Sequence, residues 1–230
     1  MMRKIIGKII DIVLPPKGED TASKEAPSQP PAGVKTVSLE QLLGGALGEP
    51  PAEPDLRVIG LYSSVEDEKI AELTQALLYL NEMNRLLPEG KEKKPVEFYI
   101  NTYGGSADDM FAMYDVMQSV MEETEIHTIG VGKVMSAGTL LLAAGTKGKR
   151  KIGKSCRVMI HNVAAGNFGT LPNLANELEA IQRLQEDYIA AMVENTKFTR
   201  KKLEKLLNEK VNIYLDAEEA VRYGLADEIM

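Results

Sequence analysis

The feature that most constrains the fold is a regular alternation of short apolar segments with segments of helical periodicity, which begins near Asp55 and continues to the C-terminus. The apolar segments have the length of strands, and the segments between them carry apolar residues three or four positions apart. Strands that alternate with helices predict βαβ units, right-handed crossovers and a mostly parallel sheet. The sequence therefore predicts an α/β fold.

The elements of this fold are readable from the pattern. The predicted strands cover residues 56–62, 95–101, 126–132, 156–161 and 212–215. The predicted helices are one capped by Ser64, one that follows Ser106, one that starts at Ser136, and three at 172–194, 199–208 and 216–225. The second helix carries a stripe of methionines at helical spacing, which we interpret as core rather than as a binding groove.

Residues 1–54 differ from the rest of the chain. Eight of the eleven prolines lie in residues 15–54, and a segment of this composition buries too little apolar area to offset the entropy of ordering. The first fourteen residues place isoleucines at helical spacing, which fits either an amphipathic segment that docks on a partner or membrane surface, or a short helix that packs on the chain itself. Lys8 and Asp11 interrupt the uncharged core that a signal peptide needs. We therefore predict a flexible arm over 1–54 and one folded domain over 55–230.

Charge and composition exclude several classes of function. A net charge of −7 argues against a nucleic-acid-binding surface. The single cysteine, Cys156, indicates a reducing compartment such as the cytoplasm and is interpreted as a buried apolar filler. Two histidines and one cysteine speak against a transition-metal site, so neither a metal nor a cofactor is predicted. No run of 18 apolar residues suits a membrane span.

Three features end predicted strands, which is where α/β proteins usually carry their sites. They are the pair Gly104-Gly105, Ser136 and His161. Taken separately, each has a structural explanation: a tight turn, a helix N-cap and a hydrogen-bonded structural histidine. Ser136 is also not in a GxSxG elbow, because no glycine lies two residues before it. Together the three supply backbone N–H donors, a nucleophile and a base, which are the parts needed for acyl transfer.

Motifs in a common order carry a family resemblance. They are FYINTYGG at 98–105, MYDVM at 113–117, LLAAG at 141–145, GKR at 148–150, RVMIH at 157–161, YLDAEEA at 214–220 and YGLAD at 223–227. Over about residues 56–227 the chain resembles the Clp protease proteolytic subunit, ClpP. Ser136 falls where that family has its nucleophile, and His161 ends the segment that carries its catalytic histidine. Thr102 and Tyr103 replace the family's Ser-Pro.

The resemblance implies a crotonase-like ββα superhelix, with residues 162–195 as a protruding strand-helix handle that joins stacked heptameric rings. It implies an ATP-dependent serine endopeptidase that cleaves polypeptides delivered by a separate AAA+ Clp ATPase, since the chain has no GxxxxGK[ST] motif of its own. Ser136 would be the nucleophile and His161 the base. The backbone N–H groups of Ala137 and of Gly104 or Gly105 would form the oxyanion hole.

The chain departs from the family at the third catalytic position. An Asp usually stands two residues before the aromatic of the closing motif, and here that residue is Asn212. An Asn carbonyl can orient an imidazole but offers no negative charge to it. Asp216 and Glu209 are the nearby carboxylates, though Asp216 is expected to cap the helix after it. The alternative is therefore a catalytically weak or inactive ClpR-type subunit of a mixed ring. A crotonase-type acyl-CoA enzyme is disfavoured by the Ser136–His161 pair.

Overall fold

The computed structural model describes residues 55–209 and 212–230, so the predicted arm over 1–54 and its amphipathic segment lie outside the described residues. The strands are β1 (Val58–Leu61), β2 (Val96–Thr102), β3 (Ile126–Met135), β4 (Lys151–Ile152), β5 (Arg157–Ile160), β6 (Ile213–Leu215) and β7 (Glu228–Ile229). The helices are α1 (Asp67–Arg85), α2 (Ala107–Val120), α3 (Ala137–Ala143), α4 (Leu171–Asn195), α5 (Arg200–Glu209) and α6 (Ala217–Tyr223). The predicted α/β class is confirmed. The prediction missed β4 and β7, because two residues are too few to show a period.

The seven strands form one sheet in which the long strand β3 forks. The parallel order is β1-β2-β3-β4-β7, and β4 pairs with the first half of β3 at Ile129 and Gly130. The second half of β3 pairs in parallel with β5, whose other edge pairs antiparallel with β6. Because β2, β3 and β5 run in the same direction, their C-terminal ends lie at one edge of the sheet.

The core lies between the sheet and the helices. Alternate residues of β2 are buried, and α3 is buried all round, as expected for a helix built only from small and aliphatic residues plus one threonine. Met110, Met113 and Met117 of α2 are almost fully buried. The interpretation of the methionine stripe as core is therefore confirmed.

The start of α1 differs from the prediction. The helix begins at Asp67 after Glu66, with no side-chain cap, so the predicted cap at Ser64 is wrong. The reason is a long-range pairing: the Val65 N–H donates to the Gly104 carbonyl, and the Ser106 N–H donates to the Val65 carbonyl. These bonds hold the chain extended through Val65 and delay the helix. At α6 the predicted cap is present, because Asp216 and Glu219 form a reciprocal capping box.

Helix α4 has two different halves. Its first ten residues are exposed, including Leu171, Leu174 and Leu178, whereas Tyr188, Ile189 and Met192 near its end are buried against the body. Residues 161–170 before it form no strand. A strand needs a neighbouring strand to satisfy its N–H and C=O groups, and the single chain offers none to this segment. The strand expected in the handle over 162–195 is therefore absent, and this part of the described chain is a helix preceded by irregular backbone.

Candidate active site

Ser136 and His161 meet at the common edge of β3 and β5. The Ser136 Oγ lies 2.8 Å from the His161 Nε2. The two residues are brought together by the parallel pairing of these strands, in which Met135 stands opposite Met159. The Ser136 N–H continues that ladder by donating to the Met159 carbonyl at 2.8 Å. The contact is therefore set by the sheet and not by a flexible loop.

The backbone of Ser136 is held in a sparsely populated conformation. Its φ is 54° and its ψ is −125°, and it is the sole non-glycine residue with a positive φ among residues 55–209 and 212–230. Although it stands in the N-cap position of α3, its side chain makes no cap hydrogen bond. The hydroxyl instead lies against His161. The structure thus excludes a capping role for the Ser136 side chain, and strained backbone of this kind is concentrated at functional sites.

The glycine pair after β2 brings backbone close to the Ser136 hydroxyl. A Cβ built on Gly104 would lie 2.5 Å from the Ser136 Cβ and 3.0 Å from its Oγ. A Cβ on Gly105 would lie 2.1 Å from the Val65 carbonyl oxygen. Both glycines also have positive φ values, 98° and 157°. No side chain fits at either position, which is the physical reason for the pair.

The two glycine N–H groups differ in what they can bind. The Gly104 N–H donates to the Thr102 Oγ1 at 3.0 Å. Val65 donates to the Gly104 carbonyl and accepts from the Ser106 N–H. The Gly105 N–H between them has no acceptor among the described residues. The Ala137 N–H, at the start of α3, is likewise without an acceptor there, as the first N–H groups of a helix are. Gly105 and Ala137 therefore offer the two free donors beside Ser136.

A cleft of about 660 Å³ opens beside Ser136 and His161. Its walls are the start of α2, the segment after His161 and one face of α4. The apolar lining includes Met110, Ile181 and Leu184, and charged side chains of both signs stand around it. The volume is in the range of sites that enclose small ligands.

Asn212 lies next to this site without a hydrogen bond to it. In the antiparallel ladder of β5 and β6, Ile160 pairs with Ile213, so His161 and Asn212 are the next positions along the two chains. Asn212 is exposed, and no hydrogen bond joins it to His161 within the described part of the chain. The Asp216 carboxylate accepts from the Glu219 N–H at 2.8 Å and is thereby used as a helix cap.

The structure also bears on the role of Cys156 and on the grouping of side chains that could bind a metal ion. Cys156 is buried, and burial raises the pKa of its thiol to about 11, as suits an unreactive filler. Over 55–209 and 212–230, no three His, Cys, Asp or Glu side chains are grouped so as to hold a metal ion. In the same residues no helix has the length and apolar character to cross a membrane.

Sequence reasoning missed the polar residues under the site. Thr139 is fully buried in α3, where it hydrogen-bonds to the backbone of Ser136, and the buried Tyr188 of α4 hydrogen-bonds to Thr139. The available signal was a threonine in an otherwise apolar helix and a tyrosine in an apolar stripe. Neither pattern indicates a partner, because the two residues are 49 positions apart.

Comparison with known families agrees with the motifs. The model of a family described as Clp protease matches residues 54–230, which is most of the chain. The parallel sheet with its helices is consistent with the fold of that family. The resemblance inferred from the motifs is therefore confirmed.

Proposed function

The chain belongs to the Clp protease family, and we propose that it is the serine endopeptidase subunit of a Clp-type machine, which cleaves unfolded polypeptides delivered by a separate AAA+ Clp ATPase. The observation that carries the proposal is the 2.8 Å contact between the Ser136 Oγ and the His161 Nε2. A hydroxyl within hydrogen-bond reach of an imidazole, at a strained position beside free N–H donors, has the arrangement of an activated nucleophile.

The proposed reaction proceeds through an acyl-enzyme. His161 takes the proton of the Ser136 hydroxyl as the oxygen attacks the peptide carbonyl, and the carbonyl oxygen becomes an oxyanion. His161 then gives this proton to the leaving amine, and the C–N bond breaks. In the second half, a water molecule gives a proton to His161 and attacks the acyl group, and Ser136 recovers its proton as the acid product leaves.

The oxyanion would be held by the N–H groups of Gly105 and Ala137. Preorganised donors of this kind are commonly the largest single contribution to such catalysis. Of the two glycines named from the sequence, Gly105 is the better candidate because the Gly104 N–H already donates to Thr102. Gly104 has a different proposed role, which is to let the loop approach Ser136.

The third member of the site is proposed to be Asn212. Its amide oxygen would accept a hydrogen bond from the His161 Nδ1–H and hold the ring in the orientation that presents Nε2 to Ser136. The support is its position next to His161 at the end of the β5–β6 ladder. Asp216 is a weaker candidate because its carboxylate caps α6.

The active assembly is proposed to be stacked heptameric rings of this chain, as the family generally assembles into rings that work with Clp ATPases. The exposed leucines of α4 support a ring-to-ring contact, since Leu171, Leu174 and Leu178 form an apolar stripe at helical spacing on the protruding half of the helix. The cytoplasm is proposed as the compartment, on the cysteine usage.

The direct test is labelling with a fluorophosphonate probe, followed by mass spectrometry of the modified peptide. We expect a single adduct on Ser136 in the full-length protein, no adduct in Ser136→Ala, and labelling at least about 100-fold slower in His161→Ala because the base is gone. An assembled wild-type protein that forms no adduct on Ser136 would overturn the proposal.

A second candidate function is a ClpR-like structural subunit of a mixed ring. The observation that favours it is the exposed Asn212, which makes no hydrogen bond to His161 in the described residues. This candidate predicts that the protein co-assembles with an active paralogue, and that Ser136→Ala leaves the activity of the mixed ring unchanged. A loss of activity in proportion to the Ser136→Ala subunits would exclude it.

A further inference from the structure

The site rests on a buried chain of hydrogen bonds that reaches helix α4. The Thr139 Oγ1 lies 2.6 Å from the Ser136 carbonyl oxygen and 3.0 Å from the Tyr188 hydroxyl. Thr139 is fully buried, and Tyr188 is 4% exposed. Both side chains are thus almost completely shielded from water, and the Tyr188 hydroxyl has Thr139 as its hydrogen-bond partner among the described residues.

The direction of each bond follows from the number of protons. A carbonyl oxygen can only accept, so the single proton of the Thr139 hydroxyl is donated to Ser136. The Thr139 oxygen must then accept from the Tyr188 hydroxyl, which is the first donor in this series of hydrogen bonds. Burial raises the pKa of Tyr188 to about 12, so this donor keeps its proton throughout the working pH range.

The Ser136 carbonyl oxygen accepts two hydrogen bonds from Thr139. The Thr139 N–H donates to this oxygen at 2.9 Å, in addition to the Thr139 hydroxyl, so two donors of one residue fix its position. Because a trans peptide is planar, fixing the Ser136 carbonyl also fixes the opposite direction of the Ala137 N–H. The peptide between Ser136 and Ala137 carries both the nucleophile's strained backbone and one proposed oxyanion donor.

We propose that Tyr188 is a positioning residue for the reaction, which acts through Thr139 on the Ser136–Ala137 peptide. The inference rests on the proposed function of Ser136 and adds a residue outside the Ser136, His161 and Asn212 set. Tyr188 itself does not touch the reacting atoms. The Tyr188 hydroxyl keeps the Thr139 side chain in the rotamer that donates to the Ser136 carbonyl. This hydrogen bond in turn keeps the Ala137 N–H pointing towards the developing oxyanion.

The test is a double-mutant cycle on turnover of a fluorogenic peptide and on the rate of fluorophosphonate labelling. Tyr188→Phe removes one hydroxyl and keeps the ring, and we expect kcat and the labelling rate to fall about 3- to 10-fold with KM within about twofold. Thr139→Val should lower both at least as much. Tyr188→Phe added to Thr139→Val should cause no further loss of kcat, because Thr139→Val already removes the hydroxyl through which Tyr188 acts on Ser136.

Two matched variants separate positioning from a general loss of stability. Thr139→Ser keeps the hydroxyl and should retain activity within about twofold of the wild type. Tyr114→Phe also removes a partly buried tyrosine hydroxyl, which accepts from the Asn195 side chain at 3.0 Å, but has no bond to Ser136. It should lower the melting temperature about as much as Tyr188→Phe and leave kcat unchanged. If Thr139→Val does not fold, Thr139→Ala replaces it in the cycle.

The outcomes for the two proposals are distinct. A wild type without a Ser136 adduct overturns the proposed function and the positioning role with it. Two results with a normally labelled wild type overturn the positioning role alone. In the first, Tyr188→Phe is as active as Tyr114→Phe. In the second, Tyr188→Phe lowers kcat as much in the Thr139→Val background as it does in the wild type. A change in KM without a change in kcat also overturns it.

Discussion

Gly104 and Ser136 are in such close contact that a methyl group on Gly104 would stand 2.5 Å from the Ser136 Cβ. The two residues follow neighbouring parallel strands, and the chain between them contains α2 and β3. The proximity brings the loop that carries Gly105 to the Ser136 hydroxyl, the proposed nucleophile. The geometry of the proposed oxyanion hole therefore depends on the absence of a single side chain.

The first prediction is that Gly104→Ala reduces turnover about 100-fold or more, because displacement of a site by about 1 Å costs this much. The matched control is Gly90→Ala. Gly90 also has a positive φ, 81°, but a Cβ placed on it would have no atom within 4 Å, so only the backbone strain is shared. Peptide turnover and thermal melting of both variants are the measurements. Equal turnover in the two variants would show that the contact with Ser136 is unimportant.

The second prediction concerns the charge at position 212. Asn212→Asp should raise kcat about tenfold, because a carboxylate that accepts from His161 stabilises the imidazolium by about one pKa unit. A nearby carboxylate favours protonated histidine, so the acidic limb of the pH–kcat/KM profile should move to higher pH by about one unit. Asn212→Ala should lower kcat. The control is Asp216→Ala, which should cost about 1 kcal/mol of stability through the lost cap but leave turnover unchanged. Loss of turnover in Asp216→Ala alone, with no effect of either change at Asn212, would contradict the assignment.

The third prediction concerns acid stability and the ion pair of Arg150 with Asp227. Arg150 is buried, and its Nη2 lies 2.6 Å from the Asp227 Oδ1. Burial raises the pKa of Asp227, but hydrogen bonds from Arg150 and from the Gly148 N–H outweigh it and lower the pKa from its ordinary 3.8 to about 2. Because the folded-state pKa is the lower one, the stabilisation is present above about pH 4 and is lost as the pH falls from 4 towards 2. It amounts to about 1–2 kcal/mol after screening by solvent.

The measurement for this pair is urea unfolding at pH 7 and pH 3. Asp227→Asn should lower the free energy of unfolding at pH 7 by about 3 kcal/mol, since it leaves a buried guanidinium without its counter-charge. The difference from the wild type should shrink at pH 3. Glu228→Gln is the control, because Glu228 and Lys151 form an exposed pair worth about 0–1 kcal/mol. A deficit in Asp227→Asn that is the same at both pH values would refute the electrostatic explanation.

The fourth prediction concerns assembly through α4. Leu178→Glu combined with Ile181→Glu should convert the proposed stacked rings into single rings or smaller species, because charges would replace Leu178 of the apolar stripe and Ile181, which continues it three residues further along the helix. Leu178 is 56% exposed and Ile181 is partly exposed in the single chain, so both charges reach water and have little effect on the fold of the chain itself. Because Ile181 also lines the cleft, the readout is assembly and not turnover. The control is Asn176→Glu, which adds a charge to the opposite face of the same helix and should leave the rings intact. Native mass spectrometry reads all species, and intact double rings in the double variant would rule out α4 as the contact.

The fold class, the order of the main helices and strands, and the family all followed from the amino-acid sequence. Each of these depends on information that is local in the chain, such as the period of apolar residues or a short motif like RVMIH. The three strand-end features at Gly104-Gly105, Ser136 and His161 were also readable, because parallel strands of one sheet bring their C-terminal ends to one edge. The methionine stripe of α2 was assigned to the core for the same local reason.

Contacts between distant residues could be seen only in the folded chain. The pairing of Val65 with the loop at Gly104 places the start of α1 after Ser64. In the same loop the Gly104 N–H donates to Thr102, whereas the Gly105 N–H has no acceptor among the described residues. The pairing of β3 with β5 places His161 2.8 Å from the Ser136 hydroxyl, and this contact favours a nucleophile over a helix cap. Hydrogen bonds and strained backbone of this kind form only when the sheet and helices pack together, and no periodicity along the chain encodes them.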